Sequence, residues 1–335
     1  MDNASPARTI AQMLNGQVLT QAIYVAARLD IAGLLSDTPR MAEELAASTK
    51  THAPSLYRLL RTLASLGIFR EDEQHKFHLT PLAECLKKDA PESQWAFAMM
   101  IGDEPSKAWQ NLLYSVQTGG CAFEKTFGEP LFDFLGKHPE KARIFDAAMT
   151  SVHGRESKAM LDAYDLADVG TFVDVGGGNG KTLASVLERY PAMRGILFDL
   201  PHVVQAAEPN FRAAKVDART KLVGGSFFES IPAGGDAYLV RHIIHDWYDE
   251  QSKQILSNCR QAMHAKARLL VVESVILPGN EPSVGKMLDL AMMVLPGGME
   301  RTEDQYRTLL GQSGLKLERI VPTAADVSVI EARPV

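Results

Sequence analysis

Apolar positions recur at helical spacing through the first half of the chain and fall into short blocks in the second. Up to about residue 160 the pattern is helical, with almost no strand-like runs. From about residue 170 onward, short apolar runs at 171–175, 194–198, 220–223, 236–240, 268–273 and 327–332 alternate with helical stretches. That alternation predicts an α/β domain built on a parallel sheet. The segment Pro139–Tyr164 reads as a linking helix. The expected division is a helical domain over 1–160 and a Rossmann-like domain over 161–335.

The first half contains a smaller pattern of its own. Met41-Ala-Glu-Glu-Leu-Ala predicts one helix, and Ala53–Leu63 a second with Pro54 near its start. Leu66-Gly67-Ile68-Phe69, a charged turn and Lys76–Thr80 then predict a hairpin. Helix, helix, hairpin is a winged helix-turn-helix. As a DNA reader, its second helix would bring Tyr57, Arg58 and Arg61 to the groove. The wing, however, carries Glu71, Asp72 and Glu73, the wrong charge for a phosphate surface. A packing module is the expectation. Ahead of it, Thr9–Leu35 carries Ile10, Met13, Leu14, Val18, Leu19, Ile23, Val25 and Leu29, a large apolar surface that an ordinary intramolecular helix pair could also use. Burial against a second copy, in a homodimer, is expected.

Composition narrows the class. With 335 residues, 46% of them hydrophobic, the chain can bury a large core in one or two domains. A formal net charge of −6 argues against a general nucleic-acid binder. Cys85, Cys121 and Cys259 are scattered without metal-ligand spacing, as suits a reducing compartment. No basic-then-apolar leader opens the sequence, and no apolar run approaches the roughly 20 residues of a membrane span. A cytoplasmic protein without a metal is expected.

The most informative chemistry lies in Phe172-Val-Asp-Val-Gly-Gly-Gly-Asn-Gly180, where a strand runs into a glycine turn. A dinucleotide fingerprint needs a third glycine three residues after the second, but those positions hold Lys181 or Leu183. A P-loop needs glycine five residues before Gly180, and Val175 stands there. Asp174 precedes the turn, and Asp199 ends the next apolar run. An acid at each place suits a compact nucleoside-amino acid with its ribose on Asp199, and S-adenosylmethionine fits best. Candidate cofactor contacts are Asp174, Gly176, Gly178, Asp199, Leu200, Ser226, Phe227 and Arg241. A plain βα turn is the alternative.

Arg241-His-Ile-Ile-His245-Asp246-Trp-Tyr-Asp249-Glu250 follows the fourth apolar run. Ligands of open α/β sheets sit beyond the carboxyl ends of the strands, which places His245 near a transferable methyl. An imidazole can accept the proton of a phenol, although full transfer in water costs roughly 5 kcal/mol. Glu273, ending a strand, and Glu300, in the loop Pro296-Gly-Gly-Met-Glu300-Arg-Thr, are both expected to reach the imidazole and fix its tautomer. Against this stand ordinary structural uses: Glu300 pairing with Arg301, and Asp246 capping a helix that starts near Trp247. Asp289, Met292, Met293 and Leu295, with Phe145, Met149 and His153 on the linking helix, are candidate walls for an aromatic substrate.

These strings, with Phe198-Asp-Leu-Pro-His202, Val272-Glu273 and Gly297-Gly-Met-Glu-Arg-Thr302, resemble the class I O-methyltransferases typified by caffeate, hydroxyindole and phenazine enzymes. The likeness spans nearly the whole chain. It implies a winged-helix-containing dimerisation domain and a Rossmann-like domain that binds S-adenosylmethionine and releases S-adenosyl-L-homocysteine. It implies that Gly176 lines the cofactor site, that Asp199 holds the ribose hydroxyls, and that His245 is the base, oriented by Glu273 and Glu300. Arg241 stands where the family usually has lysine, and Ser226 where it commonly has an aspartate near the adenine. The implied reaction is metal-free methyl transfer to a hydroxyl of a phenazine, polyketide or similar aromatic. Alternatives are an N- or C-methyltransferase, a relative that uses the cofactor structurally, a metal-dependent catechol-type enzyme, and a winged-helix ligand sensor.

Overall fold

The computed structural model describes residues 5–335, which form two compact units. The first comprises residues up to Gln110 together with Thr126–Gly154, and the second Asn111–Lys125 with Arg155–Val335.

In the first unit, helices Pro6–Leu14, Gly16–Arg28 and Ile31–Leu34 open the described chain. The helix Pro6–Leu14 buries none of its residues, and Ile10, Met13 and Leu14 are 58–74% exposed. The winged helix-turn-helix follows as helices Ala42–Thr49 and Ala53–Ser65 with strands β1 (Arg40–Met41), β2 (Phe69–Glu71) and β3 (Lys76–Leu79). The strands pair antiparallel in the order β1-β3-β2. Leu56, Leu60 and Leu63 fall on one face of the helix Ala53–Ser65 and pack with Leu45, Phe69 and Phe77 into one core. Arg58 and Arg61 are exposed, with the Arg61 guanidinium 5.7 Å from the Tyr57 ring centroid. Asp72 turns inward on the wing: it accepts from the Gln74 and Lys76 amides and from His78 Nε2.

The second unit is a seven-stranded sheet. Strands β4 (Thr171–Val175), β5 (Arg194–Asp199), β6 (Thr220–Gly224), β7 (Ala237–Arg241) and β8 (Arg268–Glu273) run parallel. Strands β9 (Leu315–Pro322) and β10 (Ser328–Pro334) form an antiparallel pair, and β10 joins β8. The spatial order is β6-β5-β4-β7-β8-β10-β9. Helices cover both faces, so the interiors of the central strands are largely apolar on both sides. Leu239, Leu270 and Val272 pack with Leu183, Leu187 and Phe211 on one side. Their neighbours Tyr238, Val240, Leu269 and Val271 pack with Ile255, Leu256 and Leu310 on the other.

Three sequence expectations need correction. The linking helix is two helices, Pro139–His153 and Glu156–Ala163, broken at Gly154-Arg155. Strand β9 escaped notice because its alternation, Leu315-Lys-Leu-Glu, is that of a one-sided edge rather than an apolar run. The sheet is therefore mixed, not wholly parallel. Finally, Asp246 caps no helix. It closes a 3-10 turn, Ile244–Asp246, and the next helix begins at Asp249 with Tyr248 at its cap.

Candidate active site

Chain order reverses at β4. From β4 the path runs outward through β5 and β6, then returns to β7 on the other side. Such a reversal opens a crevice at the carboxyl ends of the two diverging strands. The loops after β4 and β7 meet there. Gly176 has φ +69°, and a Cβ on it would lie 2.6 Å from Ile243 Cδ1. Only glycine satisfies both the left-handed backbone and the close approach.

Asp199 organises this loop. Its Oδ2 accepts from the Gly178 amide (2.8 Å) and its Oδ1 from the Leu200 amide (2.7 Å). Burial raises its pKa, against these amides. Asp174 is more extreme. It is 2% exposed, and its Oδ2 has no hydrogen-bond partner. Burial, with Asp199 adding to it and Arg241 opposing, lifts its pKa to about 7. A buried carboxylate with one oxygen unmet beside a glycine cradle fits a ligand that brings positive charge, as S-adenosylmethionine does. Phe227 reaches the same loop, 3.7 Å from where a Gly176 Cβ would stand, and its ring packs edge-on to Phe228. Ser226 uses its hydroxyl locally, accepting from the Phe228 amide. Arg241 and His242 both donate to Glu156 Oε2, at 3.0 and 2.6 Å.

His245 sits on the 3-10 turn after β7 and is 5% exposed. Its Nδ1 donates to Glu300 Oε1 at 2.6 Å, and its Nε2 lies 3.7 Å from Asp246 Oδ1. Burial would lower the pKa of the ring. The carboxylates of Asp246, Glu300 and Glu273 outweigh burial and raise it to about 10. Burial in turn raises Asp246 to about 7 and lifts Glu300. His242, in the left-handed region at φ +52°, places its ring centroid 5.0 Å from that of His245.

The two glutamates do different work, which corrects the expectation that both touch the imidazole. Glu273 binds the turn's backbone: its Oε1 accepts from the amides of Ile243 (3.1 Å), Ile244 (2.7 Å) and His245 (3.2 Å). Its Oε2 accepts from Tyr306 Oη at 2.5 Å. Glu300 alone holds the ring, and it does not pair with Arg301, which turns to Asp249. Asp289, expected as a substrate wall, instead accepts the Glu300 amide at 2.9 Å. The glycine loop that delivers Glu300 runs so close to the turn that a Cβ on Gly298 would meet the His245 carbonyl oxygen at 2.0 Å. The Met299 amide donates to that same oxygen.

Of the expected substrate walls, Met292 and Leu295 are buried at the end of the helix Val284–Val294, and Met293 is half-buried. Phe145, Met149 and His153 share one face of the helix Pro139–His153 in the first unit, where Phe145 packs edge-on against Phe132. Glu156 and Tyr306 went unnoticed in the sequence. Each lies within an ordinary amphipathic helix, and no local pattern marks its partner.

Residues 109–316 match the O-methyltransferase domain, and residues 11–89 match the O-methyltransferase dimerisation domain. The chain is 48% identical over 326 residues to phenazine O-methyltransferase PhzM of Lysobacter antibioticus, covering 97% of this chain and 96% of that protein. The crystal structure of LaPhzM superposes with a TM-score of 0.95 at 47% identity, covering 99% of this chain and all of that one. The O-methyltransferase NcsB1 from neocarzinostatin biosynthesis, in complex with S-adenosylmethionine and 2-hydroxy-5-methyl naphthoic acid, superposes with a TM-score of 0.85 at 31% identity, covering 95% and 96% of the two chains. The dimerisation domain, with its exposed apolar first helix, supports a homodimer. No described helix is long and apolar enough to cross a membrane. The chain belongs to the O-methyltransferase family and is an S-adenosylmethionine-dependent O-methyltransferase.

Proposed function

We propose that this enzyme methylates a hydroxyl of a phenazine or a similar polycyclic aromatic, with His245 as the general base. One observation carries the assignment of the base: a buried imidazole whose Nδ1 is committed to Glu300, leaving Nε2 as its proton-accepting nitrogen. The substrate class is supported by the similarity to a phenazine O-methyltransferase and by the apolar segment Met292–Leu295.

When bound, S-adenosylmethionine supplies an electrophilic methyl on a positively charged sulfur, and its transfer leaves S-adenosyl-L-homocysteine. Asp199 would hold the ribose, and Asp174 would answer the positive charge. Gly176, Gly178, Leu200, Ser226, Phe227 and Arg241 would line the remainder. His245 accepts the hydroxyl proton through Nε2, and Glu300 stabilises the resulting imidazolium. With its pKa raised to about 10, the ring matches a phenol, whose pKa is also about 10, so the gap of roughly 5 kcal/mol in water is largely removed. The same shift keeps the ring protonated at neutral pH in the free enzyme. Base function therefore falls to the deprotonated fraction, which grows as pH rises. We place the enzyme in the cytoplasm, where the free thiols of Cys85, Cys121 and Cys259 stay reduced.

The test is incubation with methyl-labelled S-adenosylmethionine and a panel of hydroxylated phenazines, naphthoates, flavonoids and indoles, read by mass spectrometry. Label on a phenazine hydroxyl is expected, with kcat/KM rising toward alkaline pH along a limb above the ordinary histidine value of about 6.5. Labelling at nitrogen alone, or no preference for the phenazines, would refute the assignment.

A further inference from the structure

Among the described residues, Arg301 is the largest side chain that is fully buried, at 1% exposure. Its nearest acid, Asp249, has a side chain 62% exposed, so its counter-charge lies at the surface. A buried cation is costly unless its donors are met. Those of Arg301 are met half by backbone carbonyls around His245 and half by the side chains of Asp249 and Ser252. Nη1 donates to the carbonyls of Ile244 (3.1 Å) and Met299 (3.4 Å). Nη2 donates to the Trp247 carbonyl (3.0 Å), Ser252 Oγ (3.2 Å) and Asp249 Oδ1 (2.8 Å), and Nε to the same Asp249 oxygen (3.1 Å).

Ile244 and Trp247 flank the pair His245-Asp246, and Met299 immediately precedes Glu300. The guanidinium therefore joins the segment bearing the imidazole to the segment bearing its carboxylate. Its own backbone is anchored: the Ile276 amide donates to the Arg301 carbonyl just beyond β8. Glu273, at the end of β8, takes the amide hydrogens of the same turn and is itself held by Tyr306. Three amides of the turn thus rest on the buried carboxyl of Glu273, and the Ile244 and Trp247 carbonyls on the buried guanidinium of Arg301.

We propose that Arg301 is a positioning residue for methyl transfer, setting the distance and angle between His245 and Glu300 through the carbonyls of Ile244, Trp247 and Met299. Lysine keeps the charge but presents a point donor in place of a planar fork, so it cannot bridge the two segments. The proposal rests on His245 being the base, but one of its readouts does not. A carboxylate 2.6 Å from Nδ1 gives the ring proton a far-downfield resonance that reports this geometry whatever the ring does in catalysis.

The experiment compares wild type, Arg301→Lys, Arg301→Gln and the exposed control Arg307→Lys, each as the homodimer with S-adenosyl-L-homocysteine for the proton spectrum. In Arg301→Lys, kcat is expected to fall on the order of 100-fold, as for a displaced catalytic group. Affinity for S-adenosylmethionine should be retained, and the downfield resonance shifted or lost. Arg301→Gln, which also removes a positive charge, should in addition move the alkaline limb of the rate profile upward. Arg307→Lys should behave as wild type. An unmoved resonance and wild-type kcat in Arg301→Lys would overturn the proposal. Should that variant not fold, Asp249→Asn carries the test. Removing this exposed partner should shift the resonance and lower kcat, and no change in either would overturn the proposal.

Discussion

The glycine loop after β4 and the histidine turn after β7 stand side by side at the same end of the sheet, yet they meet buried charge to different degrees. Around His245, the chain supplies both signs: imidazole to Glu300, amides to Glu273, carbonyls to Arg301. Around the glycine loop, Asp174 is buried with one oxygen unmet, and its pKa is lifted to about 7. Most of the turn's charge is answered within the chain, with Glu300 Oε2 left unmet, whereas at the glycine loop the unmet oxygen belongs to Asp174, the residue proposed to answer a ligand's positive charge. A base must be in place before the substrate arrives, which favours preorganisation. A cofactor that must leave after each turnover is better held by a site that draws part of its stability from the ligand itself.

Experiments can sharpen or break this contrast. The largest effect is expected on the histidine side. His245→Ala should lower kcat by about 10²–10⁴-fold, the usual contribution of a general base, while calorimetry finds cofactor affinity unaltered. Comparable turnover in the variant would dissolve the division of labour. On the loop side, Asp199→Ala removes the acceptor for two amides and the expected ribose contact. It should weaken S-adenosylmethionine binding by roughly 10–100-fold, as expected for one to two charged hydrogen bonds, while kcat at saturating cofactor changes far less. A loss confined to kcat would reverse the assignment.

The smallest effect concerns the proton on Asp174. Its pKa in the folded protein is raised, so below about pH 7 the carboxyl is largely protonated in the free enzyme. A positive ligand lowers that pKa, so binding at pH 6 should release a proton, and affinity should rise as pH climbs through 7. Calorimetry in two buffers of different ionisation enthalpy measures the release, and Asp174→Asn should abolish it. Proton uptake on binding, or release that persists in Asp174→Asn, would show that another group answers the charge.

Legibility in the sequence followed the same contrast. The loop was readable because its parts are consecutive or one βα unit apart: Gly176 and Gly178 on one side, Asp199 on the other. The turn was only half readable. His245 and Glu300 stood out by type and setting, but Glu273 was expected on the ring and binds the backbone. Asp289 was expected against substrate and holds the Glu300 amide. Carboxylates at strand ends and in glycine loops announce that an acid is present, and nothing in their spacing says which donor it will meet.

Alternating periodicities, glycine positions and the absence of dinucleotide and P-loop spacing were enough to establish two kinds of domain and a nucleoside-amino acid cradle, because these depend on short-range geometry. What folding alone decided was the pairing of charges. Arg301 meets carbonyls more than fifty residues earlier in the chain, and Tyr306 meets Glu273 across 33 positions. Such partners are selected by the close approach of elements that local patterns place only separately. In a low-dielectric interior, that approach decides which carboxyl oxygen meets a donor and which is left unmet.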